Sequence, residues 1–234
     1  MAVDIKIDIK KIFKLIIACL VFLFVADLKA HNLESAISSE KRTPQYVLRD
    51  KYRNPFETIS FFGIESDMVV IELSPGGGWY TEIFANYLHE PGKLIAAHFD
   101  ADSKRDYFRK SRDRFEKKLL SDPMYNNVSL VNLNSSLADE ESVDAVVTFR
   151  NLHNWLGPQM DKIFSNTYKA LKPGGIFGVV EHRANPNTSI KDMKRSGYVT
   201  EEHAIKIAEK HGFKLIAKSE INSNSKDLKN YEKG

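Results

Sequence analysis

Two kinds of apolar pattern alternate along the chain. MVVIEL (68–73) is a short β-branched run of the kind buried on both faces of a sheet, whereas WYTEIFANYLHE (79–90) carries Ile83, Phe84, Tyr87 and Leu88 at helical spacing. The alternation continues with a strand at KLIAAHF (93–99), a charged helix from about 103 to 120, and strands at VSLVNL (128–133) and DAVVTF (144–149). A helix near 158–171 then leads through a Pro-Gly-Gly turn into strand IFGVVEH (176–182). Thr200 as N-cap and Gly212 as stop bound a helix in TEEHAIKIAEKHGF (200–213), and KLIAKSEI (214–221) reads as the last strand. Strands alternating with helices predict a doubly wound α/β domain, a mostly parallel sheet with helices on both faces. In such folds ligands sit beyond the carboxyl ends of the strands, so function is sought just after each strand.

Upstream, QYVLRDKYRNPFETISFF (45–62) reads as helical segments interrupted at Pro55, suited to cap a sheet edge or a pocket. Residues 31–44 are polar and without periodicity, which predicts a linker between a leader and a domain over 45–234. The leader is residues 1–30: Lys6, Lys10, Lys11 and Lys14 precede the apolar run LIIACLVFLFVA. That run is of signal-peptide length and shorter than a membrane span, which predicts export to a periplasm, with cleavage after Ala30 or retention as an inner-membrane anchor. The one cysteine, Cys19, lies inside the run, so a cleaved chain has no disulfide and no thiolate chemistry. With 42% hydrophobic residues and a net charge of +3 spread along the sequence, the chain can bury a substantial core and lacks the basic stripe that nucleic acid requires. The only membrane contact expected is through an uncleaved leader.

The chemistry is concentrated at SPGGGWY (74–80). One glycine would suffice for a strand-to-helix turn; Gly76, Gly77 and Gly78 together, against a helix N-terminus, suit close approach of a ligand with polar or anionic groups. A dinucleotide fingerprint fails because Thr81 stands where its third glycine would be, and a P-loop fails for want of Lys-Ser/Thr. Glu72-x-Ser74-x-Gly76-x-Gly78 resembles the E/D-x-G-x-G-x-G signature of class I S-adenosylmethionine-dependent methyltransferases, with Ser74 replacing the first glycine. LVNLNSS (130–136), VDAVVTFRNLHNW (143–155) and LKPGGIFGVVEHR (171–183) resemble that family's later motifs in order and spacing, and RNLHNW is similar to a bacterial group of exported predicted methyltransferases.

The resemblance implies a Rossmann-like methyltransferase fold and S-adenosyl-L-methionine as cofactor. Glu72 would orient its amino-acid end, and the glycine loop would pass close to it. The acid that grips the ribose normally ends the second strand; here His98 stands there, with Asp100 two residues on, so either Asp100 reaches the ribose or His98 makes a weaker contact. Asn134 or Ser135 would meet the adenine, and Asn151 would lie beside the reactive methyl. The family's closing hairpin, whose seventh strand pairs beside the fifth, has no counterpart in the polar tail NSNSKDLKNYEKG.

Methyl transfer needs an aligned nucleophile and a proton acceptor. His153 and His182, each just beyond a strand end, are the candidate bases. Glu181 could orient His182 or pair with Arg183, and Trp79, Tyr80 and Trp155 could wall a substrate. No short ligand spacing supports a metal. A small-molecule methyl acceptor is the expected substrate class. The rival readings are a non-catalytic ligand-binding module on the same scaffold and a nucleotide-dependent oxidoreductase.

Overall fold

The computed structural model describes residues 32–231. A parallel sheet of five strands is built from β1 (Val69–Leu73), β2 (Lys93–His98), β3 (Val128–Asn132), β4 (Val143–Phe149) and β5 (Leu171–Val180), in the order β3-β2-β1-β4-β5. Strand order reverses at β1, where Val70 pairs with Leu94 on one side and Ala145 on the other. This places a crevice above the carboxyl ends of β1, β2 and β4.

The strand residues alternate between two apolar layers. Ile71, Leu73, Val146 and Leu133 pack with Met160, Ile163 and Phe164 of helix α6 (Pro158–Ala170) on one face, while Val70 and Val147 pack with Ile59, Ile83 and Phe84 on the other. The second layer is supplied by α2 (Pro55–Phe61) and α3 (Trp79–Tyr87), preceded by the single turn α1 (Pro44–Val47). Helix α4 (Asp106–Leu119) lies beside α3 through Phe115; α5 (Leu152–Trp155) follows β4; α7 (Ile190–Ser196) and α8 (Glu201–Lys210) follow β5. Thr200 caps α8 as expected, its side chain accepting from the His203 amide at 3.2 Å.

Two expectations differ from the fold. The stretch read as a linker is packed: residues 32–37 are helical and Leu33 and Ala36, three apart, are buried in the second layer. Its far end is anchored by Glu82 of α3, fully buried, which accepts from the Thr43 amide at 2.8 Å and from Lys118 Nζ at 2.5 Å. KLIAKSEI is not a strand. The segment pairs with no strand of the sheet; Leu215 and Ile216 stay 48% and 78% exposed, and ion pairs hold it in place, Lys218 to Glu201 and Glu220 to Arg183. The free edge of β5 fits the expected lack of a seventh strand. No helix among the described residues is long and apolar enough to cross a membrane; the leader-like residues 1–30 lie outside them.

Candidate active site

Glu72 points from β1 into the α3 layer, where it is 2% exposed and accepts from Thr81 Oγ1 at 2.6 Å. Burial pushes its carboxyl up to about 7, against the opposing pull of the Thr81 hydrogen bond and the nearby Arg53 guanidinium. The three glycines after it serve three different ends. Gly76, at φ 62°, faces open space where a Cβ would meet nothing within 4 Å. A Cβ on Gly77 would lie 2.5 Å from Tyr46 Oη, which donates to the Gly77 carbonyl at 2.8 Å. One on Gly78, the left-handed N-cap of α3, would lie 3.1 Å from Phe115.

Gly76 is therefore where the backbone is open to a ligand, and Gly77 admits the clasp formed by Tyr46. Gly77→Ala is expected to destabilise the fold by about 1–2 kcal/mol by overpacking. Adding Tyr46→Phe, which removes the clashing oxygen, should recover most of that loss in urea denaturation, so the two changes will be non-additive.

Around the loop stand polar atoms with nothing to bind. Ser74, at φ 52°, has a buried Oγ without a partner, and so has Asp100 Oδ1, beyond β2. Asp100 Oδ2 accepts from Asn134 Nδ2 at 3.3 Å, so these two side chains face each other above β2 and β3. His98 is not free to join them. It is 1% exposed, stacks on Phe115 with centroids 5.0 Å apart, and its Nδ1 accepts from the Phe99 amide at 2.8 Å. The ring proton thus sits on Nε2, which donates to the Gly76 carbonyl at 3.2 Å. Burial lowers its pKa to about 4, so the neutral ring is a strut under the glycine loop.

Asn151 is likewise turned inward, its amide donating to the carbonyls of Leu73 at 3.3 Å and Ser74 at 3.2 Å. It ties the end of β4 to the loop, a positioning role. Glu181 accepts from His153 Nδ1 at 3.2 Å and orients that ring, while Arg183 pairs with Glu201 and Glu220 instead. His182 keeps a buried Nε2 without a partner, and burial followed by Arg150 lowers its pKa. Trp155 is buried in the α6 layer, and Trp79 donates from Nε1 to the Tyr46 carbonyl at 2.8 Å; Tyr80 lines a cavity.

That cavity, of about 200 Å³, lies beyond β4 and β5, between Arg150, Glu181 and His182 on one side and Arg49, Tyr52 and Arg53 on the other. Tyr80 and Phe149, stacked with centroids 3.4 Å apart, form its apolar wall. The segment before Pro55 thus caps a pocket, as its pattern predicted. Its arginines, Tyr46 and Thr81 carried no motif that marked them beforehand.

A buried acid closing the first strand, a turn opened by glycine and a second acid beyond the next strand place this chain among the doubly wound domains with the Rossmann-like methyltransferase fold. Residues 71–179, from Ile71 to Val179, match the model of a family, Methyltransf_11, described as "Methyltransferase domain". No curated protein matches the chain in sequence. Among solved structures, a SAM-dependent methyltransferase from Aquifex aeolicus is 16% identical over 72% of this chain and 84% of its own, with a TM-score of 0.57. A protein assigned as a methyltransferase from Bacillus halodurans is 18% identical over 69% of each chain, at 0.52. The [4+2]-cyclase SpnF is 14% identical over 71% of this chain and 59% of its own, at 0.57, so the shared fold does not by itself define a reaction.

Proposed function

We propose that the chain transfers the methyl group of S-adenosylmethionine to a small-molecule acceptor held in the cavity beyond β4 and β5. The observation that carries this is the set of unpartnered buried oxygens, Ser74 Oγ and Asp100 Oδ1, around the open backbone of Gly76, next to buried Glu72. They fit the cofactor's polar groups. Glu72 would take the α-ammonium, and Arg53, close enough to Glu72 for the two charges to act on each other, would take the carboxylate. Asp100 would accept from the ribose hydroxyls, with Asn134 beside it reaching the adenine.

The cofactor, when bound, supplies an electrophilic methyl on a sulfonium sulfur. The chain's task is then alignment and proton removal. His182, neutral at pH 7 and a lining residue of the cavity whose Nε2 is buried and unpartnered, is the candidate to accept the proton of a hydroxyl or ammonium nucleophile. His153, held by Glu181, stands behind it. The leader-like first 30 residues support export to the periplasm, either cleaved or anchored.

Calorimetric titration of residues 31–234 with S-adenosylhomocysteine tests the reading. Micromolar binding is expected, with proton release near pH 6 as the ligand's ammonium ionises Glu72, seen as a heat that varies with the buffer's ionisation enthalpy. Absence of binding by a folded sample would overturn it.

A further inference from the structure

The acceptor cavity carries a charge pattern that methyl transfer alone does not call for. Arg49 and Arg53 enter from the segment before α2, and Arg150 enters from the turn after β4, where it holds φ 65° and its amide donates to the Val180 carbonyl at 2.7 Å. None of the three guanidiniums has an ion-pair partner among the described residues, whereas Arg42, Arg109, Arg112, Arg183 and Arg195 each have one. Arg150 Nε is buried and without any hydrogen bond. The one carboxylate on the cavity wall, Glu181, is already engaged: Oε2 by His153 and Oε1 by the His182 amide at 2.9 Å.

Three like charges gathered around a half-enclosed cavity repel one another; water screens the exposed Arg49 and Glu181 acts on Arg150, and an anion bound between them would relieve the remaining repulsion. Arg53 is occupied by other needs, since it lies over the Trp79 ring at 4.7 Å and within the field of Glu72. Arg49 and Arg150 remain. Guanidinium groups match planar carboxylates in paired hydrogen bonds, and the wall between them, Tyr80 on Phe149, is aromatic. A volume of about 200 Å³ is below the roughly 300–1,000 Å³ of pockets for drug-sized ligands.

We propose that the methyl acceptor is a small aromatic carboxylic acid, its carboxylate held by Arg49 and Arg150 and its ring laid against Tyr80 and Phe149. This rests on the methyltransferase reading above and specifies its substrate class. Recognition is by charge as well as shape, so an isosteric amide is rejected because it leaves the guanidiniums unpaired.

The test uses the chain saturated with S-adenosylhomocysteine and a panel of acids, benzoate, 4-hydroxybenzoate and 4-hydroxycinnamate, each paired with its primary amide. Affinity is read by calorimetry and by the shift in thermal midpoint. At least one acid is expected to bind tenfold or more tightly than its amide, with the preference lost in Arg49→Gln/Arg150→Gln and kept in Arg150→Lys. Arg49→Gln alone serves if the double variant does not fold. No acid outbinding its amide, or a preference that survives in the variants, would overturn the proposal. Titration of the same variants with S-adenosylhomocysteine separates the two readings. Unchanged affinity leaves the cofactor site standing whatever the acids do, and a large loss would assign these arginines to the cofactor's carboxylate and likewise overturn the proposal.

Discussion

Glu72→Gln is expected to make the protein more stable above pH 7 and a poorer binder of S-adenosylhomocysteine. A carboxyl raised from 4.5 to about 7 keeps its proton in the folded chain over a range where the unfolded chain has lost it. Stability therefore falls as pH rises across that window, by about 3 kcal/mol in all. Glutamine mimics the protonated form and still accepts from Thr81, so urea denaturation at pH 8 should show a gain approaching that size. The same change removes the charge proposed to meet the cofactor's ammonium. Charged hydrogen bonds contribute about 1.5–3 kcal/mol, so affinity should drop by about tenfold to a hundredfold. Equal or lower stability at pH 8 would show that the carboxylate is paid for by contacts beyond Thr81 and Arg53.

Asp100→Ala is expected to weaken S-adenosylhomocysteine by a similar factor through the other end of the ligand. Its free Oδ1 and its position facing Asn134 are the grounds on which it, and not His98, is proposed as the ribose acceptor. The two variants are told apart by methylthioadenosine, which has the ribose and adenine but no amino-acid end. Its binding should fall in Asp100→Ala and stay within about twofold in Glu72→Gln, since the group that Glu72 meets is missing. The reverse pattern would exchange the two roles.

The β1–turn–α3 unit was legible because its signals are local: a buried run, glycines where left-handed φ is needed, then helical spacing. The same holds for Thr200, whose cap is fixed three residues away. KLIAKSEI misled because a strand exists only with a partner, and its apolar alternation could not disclose the open edge at β5. His98 misled for a related reason. Its place at a strand end was readable, but whether it turned to the ligand or to the Gly76 carbonyl depended on Phe115, from another helix. The arginine cavity was beyond reach altogether, since Arg49 and Arg150 are about a hundred residues apart and come to line one cavity through long-range contacts such as the Glu82 anchor and the Tyr46 clasp.

Glu72 and His98 end neighbouring strands, and both are buried without charge in mildly acid solution, for opposite reasons. A histidine lowered to about 4 binds its proton later than the unfolded chain does, so its contribution to stability grows as pH rises from 4 to 6.5, while that of Glu72 shrinks from 4.5 to 7. Across the overlap the two slopes oppose each other and nearly cancel. His182 and His203, also lowered by burial, add to the rising slope, so Glu72→Gln, by silencing the contribution that opposes it, should make stability climb more steeply with pH between 4.5 and 6.5 than the parent's.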